Sequence, residues 1–214
     1  VGEVFFDITT SLDGYVAGPN PSLEDPLGAG GMRLHEWAFA AQSWREQHGL
    51  DGGEANVDSD LLAEAREATG AVIMGRKMFS GGDGPWQDDP NAGGWWGDEP
   101  PFHVPVFVLT HHAREAEAMG GGTTFHFVTD GIESALEQAR DAAGEKDVAI
   151  AGGASAVQQY LAAGLVDAFQ IHLAPVLLGS GTPLFGGVTA NVEVTRVVPT
   201  PAATHLRCRV LRST

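Results

Sequence analysis

The run Val148-Ala-Ile-Ala-Gly152-Gly153-Ala-Ser-Ala-Val157 constrains the fold more than any other stretch of this chain. Its apolar start reads as a short buried strand and its two glycines as a hinge. The spacing of Ala156, Val157, Tyr160 and Leu161 then starts a helix with one face against a sheet. A strand that passes through a hinge directly into a helix is a βα unit, the building block of sheets flanked by helices. The hinge also has chemical potential. Without Cβ atoms the backbone can approach a ligand closely, and the first N–H groups of the helix, with the positive end of its dipole, point at whatever anion sits there. A tight βα turn with no ligand has the same pattern, so this segment alone leaves both readings open.

A second segment, Ala71-Val-Ile-Met74-Gly75-Arg76-Lys77, ends another apolar strand in glycine and two cations. It is the single adjacent basic pair in a chain with 12 basic and 28 acidic residues. Arginine offers a planar fork to a phosphate and lysine a compact charge. Two anion sites at strand ends suggest a dinucleotide with an extra phosphate, NADP(H); the alternative is a solvated basic turn.

At 214 residues the chain is read as one domain over residues 1–214. Strands are expected at Val4–Thr10, Ala71–Met74, Val104–Leu109, Thr124–Val128, Val148–Ala151 and Ala168–Leu178. Helices are expected at Arg33–Gln47, Asp60–Thr69, Gly131–Ala143 and Ala154–Ala163. This alternation is an α/β signature. Val192–Val198 and Thr204–Val210 alternate around Pro199-Thr-Pro-Ala and predict an antiparallel hairpin at the edge of a mostly parallel sheet. Two long loops, Ala17–Gly31 and Ser80–Pro105, read as lids or as segments ordered by a partner. The second carries Trp86, Trp95 and Trp96, for which a dimer interface is favoured over stacking on a planar substrate.

The formal charge of −16 argues against nucleic acid and anionic membrane as partners. No run approaches the roughly 20 apolar residues of a membrane span, and the start Val1-Gly2-Glu3 lacks the features of a secretory signal. A single cysteine, Cys208, excludes an internal disulfide and fits the cytoplasm.

Five ordered motifs carry a family resemblance: Ser11-Leu-Asp-Gly-Tyr-Val-Ala-Gly18, Val72-Ile-Met-Gly-Arg76, Pro105-Val-Phe-Val-Leu-Thr110, Ala151-Gly-Gly-Ala154 and Leu173-Ala-Pro-Val-Leu-Leu-Gly-Ser-Gly181. Together they resemble the dihydrofolate-reductase-like superfamily, and most of all stand-alone homologues of the reductase domain of the riboflavin-biosynthesis deaminase/reductase. The resemblance implies a doubly wound sheet, a homodimer and an NADPH site. Thr10, Ala17 and Gly18 would lie beside the nicotinamide, under a mobile loop containing Asp13. Gly75, Arg76 and Lys77 would meet the adenosine 2′-phosphate, and Thr110 and His111 would flank the adenine ribose. Gly152, Gly153, Ala154, Ser155 and Ala156 would bind the pyrophosphate, with a cis peptide between the two glycines. Where riboflavin-pathway reductases usually carry a lysine and an arginine, this chain has Asp7 and Tyr15. Both changes remove positive charge that a phosphoribosyl substrate would use.

The implied activity is hydride transfer from NADPH to a C=N or C=O of a small, heterocyclic substrate of pterin or pyrimidine type. Glu36, in Leu34-His-Glu-Trp-Ala38, is the expected proton donor, raised in pKa by apolar neighbours, and Asp13 is a second candidate. Each has a plainer reading, a helix-surface charge for Glu36 and an Asp-Gly turn for Asp13. Two other classes compete. The first is a protein that binds NADP(H) or another nucleotide without turnover. The second is a serine hydrolase using Ser155 with Asp167 and His172 or His205, although Val157 stands where the nucleophile elbow needs glycine. No metal site is expected: His35-Glu-Trp-Ala-Phe39 lacks the second histidine of a metalloprotease, and His111 and His112 would point to opposite faces of a strand.

Overall fold

A computed structural model of the protein describes residues 2–212. The chain begins with β1 (Val4–Thr10) and β2 (Tyr15–Ala17), then passes through α1 (Glu36–Ala40), α2 (Gln42–Gln47) and α3 (Val57–Ala68) to β3 (Thr69–Gly75). A single-turn helix α4 (Arg76–Ser80) leads into the tryptophan loop, followed by β4 (Pro105–Leu109), β5 (Glu117–Ala118) and β6 (Thr124–Val128). Next come α5 (Ile132–Ala143), β7 (Asp147–Gly152), α6 (Ala154–Ala162), β8 (Ala168–Leu173), β9 (Thr182–Pro183), β10 (Asn191–Pro199) and β11 (Thr204–Leu211).

Nine strands form one sheet in the order β10-β11-β8-β1-β7-β3-β4-β6-β5. The neighbours from β8 to β6 are parallel, and β10, β11 and β5 pair antiparallel. This is the expected α/β sheet with an antiparallel hairpin on its edge. Strand β8 is buried from Ala168 to His172, as a strand covered on both faces must be.

The two faces of the sheet are covered differently. On one, α5 turns Ala135, Leu136 and Ala139 inward and α6 turns Ala156, Val157, Tyr160 and Leu161 inward, the stripe that their spacing predicts. They close a continuous core with Phe6, Ile73, Ile150 and Phe169. On the other face the apolar cover is split. Trp37, Ala38 and Ala203 pack under α1 and α3, while Val72, Met74, Val106, Val108 and Phe125 pack under Phe79, Trp86, Trp96 and Phe102. Between these two clusters a strip of β1 and β7 stays partly exposed at Asp7, Ala149 and Ala151.

Two expected elements are corrected. The helix Arg33–Gln47 is a 3-10 turn and two short helices, because Ala41 is extended. There Gln42 N–H bonds to the Glu54 carbonyl at 3.0 Å and Glu54 N–H to the Ala40 carbonyl at 2.7 Å, which diverts the helical ladder. The strand Ala168–Leu178 stops at Leu173, since Pro175 has no N–H for a ladder and restricts the residue before it. In the tryptophan loop Trp95 stays exposed, while all three indole N–H groups are bonded within the chain. The indole N–H groups of Trp86, Trp95 and Trp96 bond to the carbonyls of His112, Met78 and Phe79 at 2.7, 3.0 and 3.1 Å, so the loop is fastened to its own domain.

Candidate active-site cleft

The ladder between β1 and β7 holds only at Val4–Val148 and Phe5–Ala149. Beyond it the strands part, leaving β1 from Phe6 to Thr10 and β7 from Ile150 to Gly152 without each other as partners. A gap between parallel strands leaves backbone donors and acceptors facing the opening, and such crevices at strand C-termini are where α/β sheets hold ligands. The half-buried strip of Asp7, Ala149 and Ala151 is the floor of this cleft. The α1–α3 layer and the tryptophan loop are its walls.

At the upper edge of the gap, β7 ends in a cis peptide between Gly152 and Gly153, as expected. Gly152 has φ +125, a conformation that L side chains rarely adopt. Helix α6 follows directly. Ala156 and Val157 N–H turn back to the Gly153 carbonyl at 3.0 and 3.3 Å, while Ala154 and Ser155 N–H have no acceptor among the described residues. A Cβ built on Gly153 would meet nothing within 4 Å, so the space beside the hinge at that residue is open. Gly75, at the end of β3, lies against the hinge: its Cβ would come within 3.7 Å of Gly153 N and 3.9 Å of Ala156 Cβ.

The other candidate cofactor residues stand at or just beyond the ends of β1, β2, β3 and β4. Thr10 ends β1 and is buried, with its carbonyl bonded to Ala174 N–H at 2.9 Å. Ala17 and Gly18 follow β2, and Gly18 has to be glycine because a Cβ there would lie 2.1 Å from the Ala29 carbonyl oxygen. Thr110 is buried one residue beyond β4, and His111 beside it is exposed. The basic pair divides. Lys77 stands 72% exposed, paired with Asp83 at 2.9 Å. Arg76 is 6% exposed, lies over the Trp86 ring at 3.5 Å and is held at 2.5 Å by Asp89, itself 2% exposed. Burial opposes the charge on Asp89, but Asn91 N–H, the Ser80 hydroxyl and Arg76 outweigh it and hold the carboxyl below its usual range. The Arg76 charge therefore anchors the tryptophan loop through Nη2, while its Nε and Nη1 are buried without a hydrogen-bond partner among the described residues. A hollow of about 210 Å³ beside that loop is lined by Asp83, Asp88 and Asp89, the wrong sign for an anion.

Both candidate proton donors are also corrected. Glu36 is exposed on α1, and it is Trp37 that turns toward the sheet. Asp13 is a clasp: the Ser11 hydroxyl, then the N–H groups of Gly179 and Leu178 at 2.7 and 3.2 Å, hold its carboxyl below the usual range. An acid held ionised in this way binds its loop and does not supply a proton at neutral pH. The hydrolase constellation is dispersed as well. Ser155 is exposed and its hydroxyl meets only Gln159, while Asp167 caps Val4 N–H at the opposite end of the strands. No metal-binding cluster of His, Cys, Asp or Glu occurs among the described residues.

Residues 3–211 match the family model of the RibD C-terminal domain. The chain belongs to the RibD C-terminal domain family. It is 24% identical over 199 residues to the uncharacterized protein YyaP of Bacillus subtilis, covering 91% of this chain and 86% of YyaP. Among solved structures it is similar to a riboflavin biosynthesis protein from Shewanella sp. PV-4, with TM-score 0.63 and 22% identity over 98% of this chain and 99% of that one. It is also similar to the yeast riboflavin biosynthesis reductase Rib7, with TM-score 0.55 and 15% identity over 99% and 90% of the two chains. Dihydrofolate reductase from Enterococcus faecalis, complexed with NADP(H), matches with TM-score 0.51 and 12% identity over 98% and 96%. These likenesses establish a dihydrofolate-reductase-like fold.

In this member of the RibD C-terminal family the cleft floor carries residues that the sequence reading did not assemble. Asp7 bonds to His172 Nε2, His172 Nδ1 lies 2.5 Å from His205 Nδ1, and His205 Nε2 lies 2.8 Å from Asp58. Trp37 covers both imidazoles, with ring centroids at 4.4 and 5.2 Å, and donates to Thr9 Oγ1 at 3.2 Å. Burial pushes His205 down, against the pull of Asp58. One signal was available in the sequence: an aspartate inside the otherwise apolar strand Val4–Ile8 needs a buried partner.

Proposed function

We propose that this chain is an NADPH-dependent reductase acting on a C=N or C=O bond of a small, non-phosphorylated nitrogen heterocycle of pyrimidine or pterin type. The observation that carries this reading is the gap between β1 and β7 closed at its upper edge by the free N–H groups of α6. The open space at Gly153 and the unspent donors of Ala154 and Ser155 fit a diphosphate. Membership of a reductase-domain family, with neighbours named as a riboflavin biosynthesis reductase and as an NADP(H) complex of dihydrofolate reductase, supports it.

In this reading Gly152, Gly153, Ala154, Ser155 and Ala156 hold the diphosphate and Lys77 the 2′-phosphate, while Gly75 keeps the strand end low enough for the cofactor to pass. Thr110 and His111 flank the adenine ribose, and Thr10, Ala17 and Gly18 position the nicotinamide against the gap. NADPH supplies the hydride when bound. The walls under Trp37 and Trp86 keep water from the reacting atoms, and the Asp13 clasp ties the 11–14 turn to residues 178–179 beside them. Asp7 and Tyr15 leave the substrate side without the cations that a phosphoribosyl group would use, which favours an uncharged heterocycle.

The test is NADPH oxidation by the purified protein against a panel of pterins, pyrimidines and small carbonyl compounds. Turnover of an unphosphorylated heterocycle is expected. NADPH binding without oxidation by any panel member would replace the reductase with a nucleotide-binding protein. A homodimer is also proposed, with Val192, Val194 and Val197 of the exposed strand β10 as its apolar contact; sedimentation as a monomer would remove that proposal.

A further inference from the structure

The floor of the cleft holds four titratable side chains in a row, contributed by α3, β11, β8 and β1. Asp58 meets His205, His205 meets His172 through their Nδ1 atoms at 2.5 Å, and His172 meets Asp7. The side chains of Asp58, His205 and His172 are 6%, 1% and 2% exposed, and that of Asp7 is 17% exposed. The row is thus closed at Asp58 and opens to the cleft at Asp7.

Each of the three contacts needs one proton between its two heteroatoms, since two bare lone pairs at this separation repel. With both carboxylates ionised, three protons must sit on the four ring nitrogens. Two neutral imidazoles carry only two, so the row is complete when one of its histidines is an imidazolium. The bare alternative would leave an uncompensated polar contact in a site walled by Trp37. Asp58 lies in the first turn of the twelve-residue helix α3, where the helix dipole favours a carboxylate. The other titratable groups packed around the row are few. His35 lies toward His172 and is pushed down by its own burial, then by His172. Arg207 neighbours His205 on β11 and is paired with Glu3 at 2.8 Å. On the β7 side the floor is Ala149 and Ala151, which carry no charge.

We infer that this row is a blind-ended proton store, and that Asp7 is the catalytic acid that delivers its proton to the substrate. The inference rests on the reductase reading above. The balance is simple. The substrate C=N gains hydride at carbon from the reduced nicotinamide and a proton at nitrogen from Asp7, so the Asp7 O–H bond breaks as the substrate N–H bond forms. That Asp7 O–H bond is formed first, as the His172 Nε2–H bond breaks and the Nδ1 proton shared with His205 settles on His172, so one proton passes along the row to the substrate. The row goes from one imidazolium and one imidazole to two imidazoles and two carboxylates. A solvent proton reloads it through the cleft at Asp7, because Asp58 offers no route. Asp7 is the catalytic residue; His172, His205 and Asp58 are positioning residues that act through it.

The test combines a readout on the free protein with one on turnover. In the free protein, ¹⁵N NMR of the histidine rings is expected to show one imidazolium shared by His172 and His205 at neutral pH, lost in Asp7→Asn and Asp58→Asn. In turnover, Asp7→Asn is expected to lower kcat about a hundredfold with NADPH affinity unchanged. The wild-type rate should fall as pH rises and the store empties. In Asp58→Asn that limb should move about one pH unit lower, because a carboxylate that holds the imidazolium is gone. Two neutral rings in the free protein, or an Asp7→Asn variant that keeps the wild-type rate and pH profile, would overturn the store. Should Asp7→Asn not fold, the Asp58→Asn pH limb decides: an unmoved limb rejects the inference. If wild type does not bind NADPH, the reductase reading falls and the catalytic role of Asp7 with it, while the ring spectrum still decides whether the row holds a proton.

Discussion

At the upper edge of β7 the groups left free are backbone: the glycine pair, and the N–H groups of Ala154 and Ser155 at the head of α6, which have no acceptor among the described residues. On the cleft floor they are side chains, Asp7, His172, His205 and Asp58, each satisfied by the next. A backbone cradle depends on the absence of Cβ atoms, tolerates changes in the side chains that point away, and recognises any group of the right charge. A side-chain row depends on each member and on the packing that keeps water out. The difference teaches where specificity should lie in this protein. The edge suits a cofactor common to many reactions, and the floor suits the chemistry of one substrate.

The buried pair of Arg76 and Asp89 breaks the comparison most severely, because here a side-chain charge at the end of β3 is paired with a buried carboxylate. Asp89→Ala leaves an unpaired buried guanidinium and is expected to cost about 3–5 kcal/mol, read by denaturant unfolding at neutral pH. Because the Asp89 carboxyl is held below its unfolded value, its contribution is present above the unfolded pKa of about 4 and is lost as pH falls through the lower folded value. Acid unfolding should therefore show a loss of stability in the wild type that Asp89→Asn lacks. Equal stabilities at neutral pH would return Arg76 to the ligand.

Lys77→Ala sharpens the edge itself. It removes an exposed charge that contributes little to folding, so unfolding should be unchanged while the preference for NADPH over NADH falls about tenfold. The smallest expected effect is that of Ser155→Ala. If the edge works through backbone N–H groups, cofactor affinity stays within about twofold, as it does for loss of a side chain that makes no ligand contact. A larger loss would mean that the Ser155 hydroxyl itself contacts the ligand or takes part in chemistry.

The same contrast explains what could be read in the sequence. The βα unit around Gly152–Gly153, the burial stripe of α6 and the edge hairpin were legible because each is written in neighbouring residues. The floor was not. Asp7 and His172 are 165 residues apart, and Asp58 and His205 are 147 apart, so it takes the register of β1 with β8 and of β8 with β11, and the seating of α3 on the sheet, to bring them together. The surroundings of Arg76 and Glu36 were illegible for a related reason. The sequence gives a residue's charge, but which way it faces depends on what covers it: Trp86 and Asp89 bury Arg76, and Trp37 takes the inward position next to Glu36.

The most direct test of the account is an equilibrium titration of NADPH into the wild type and Ser155→Asp, with the unfolding of both proteins measured alongside. An aspartate in the first turn of α6 should leave folding unchanged or stabilise it by a few tenths of a kcal/mol, because it suits the helix dipole. The same negative charge in front of the Ala154 and Ser155 donors should weaken NADPH about a hundredfold, since like charges then compete for one site. A more stable protein that binds its cofactor poorly is the predicted result. Undiminished NADPH binding by Ser155→Asp would contradict the cradle at the head of α6.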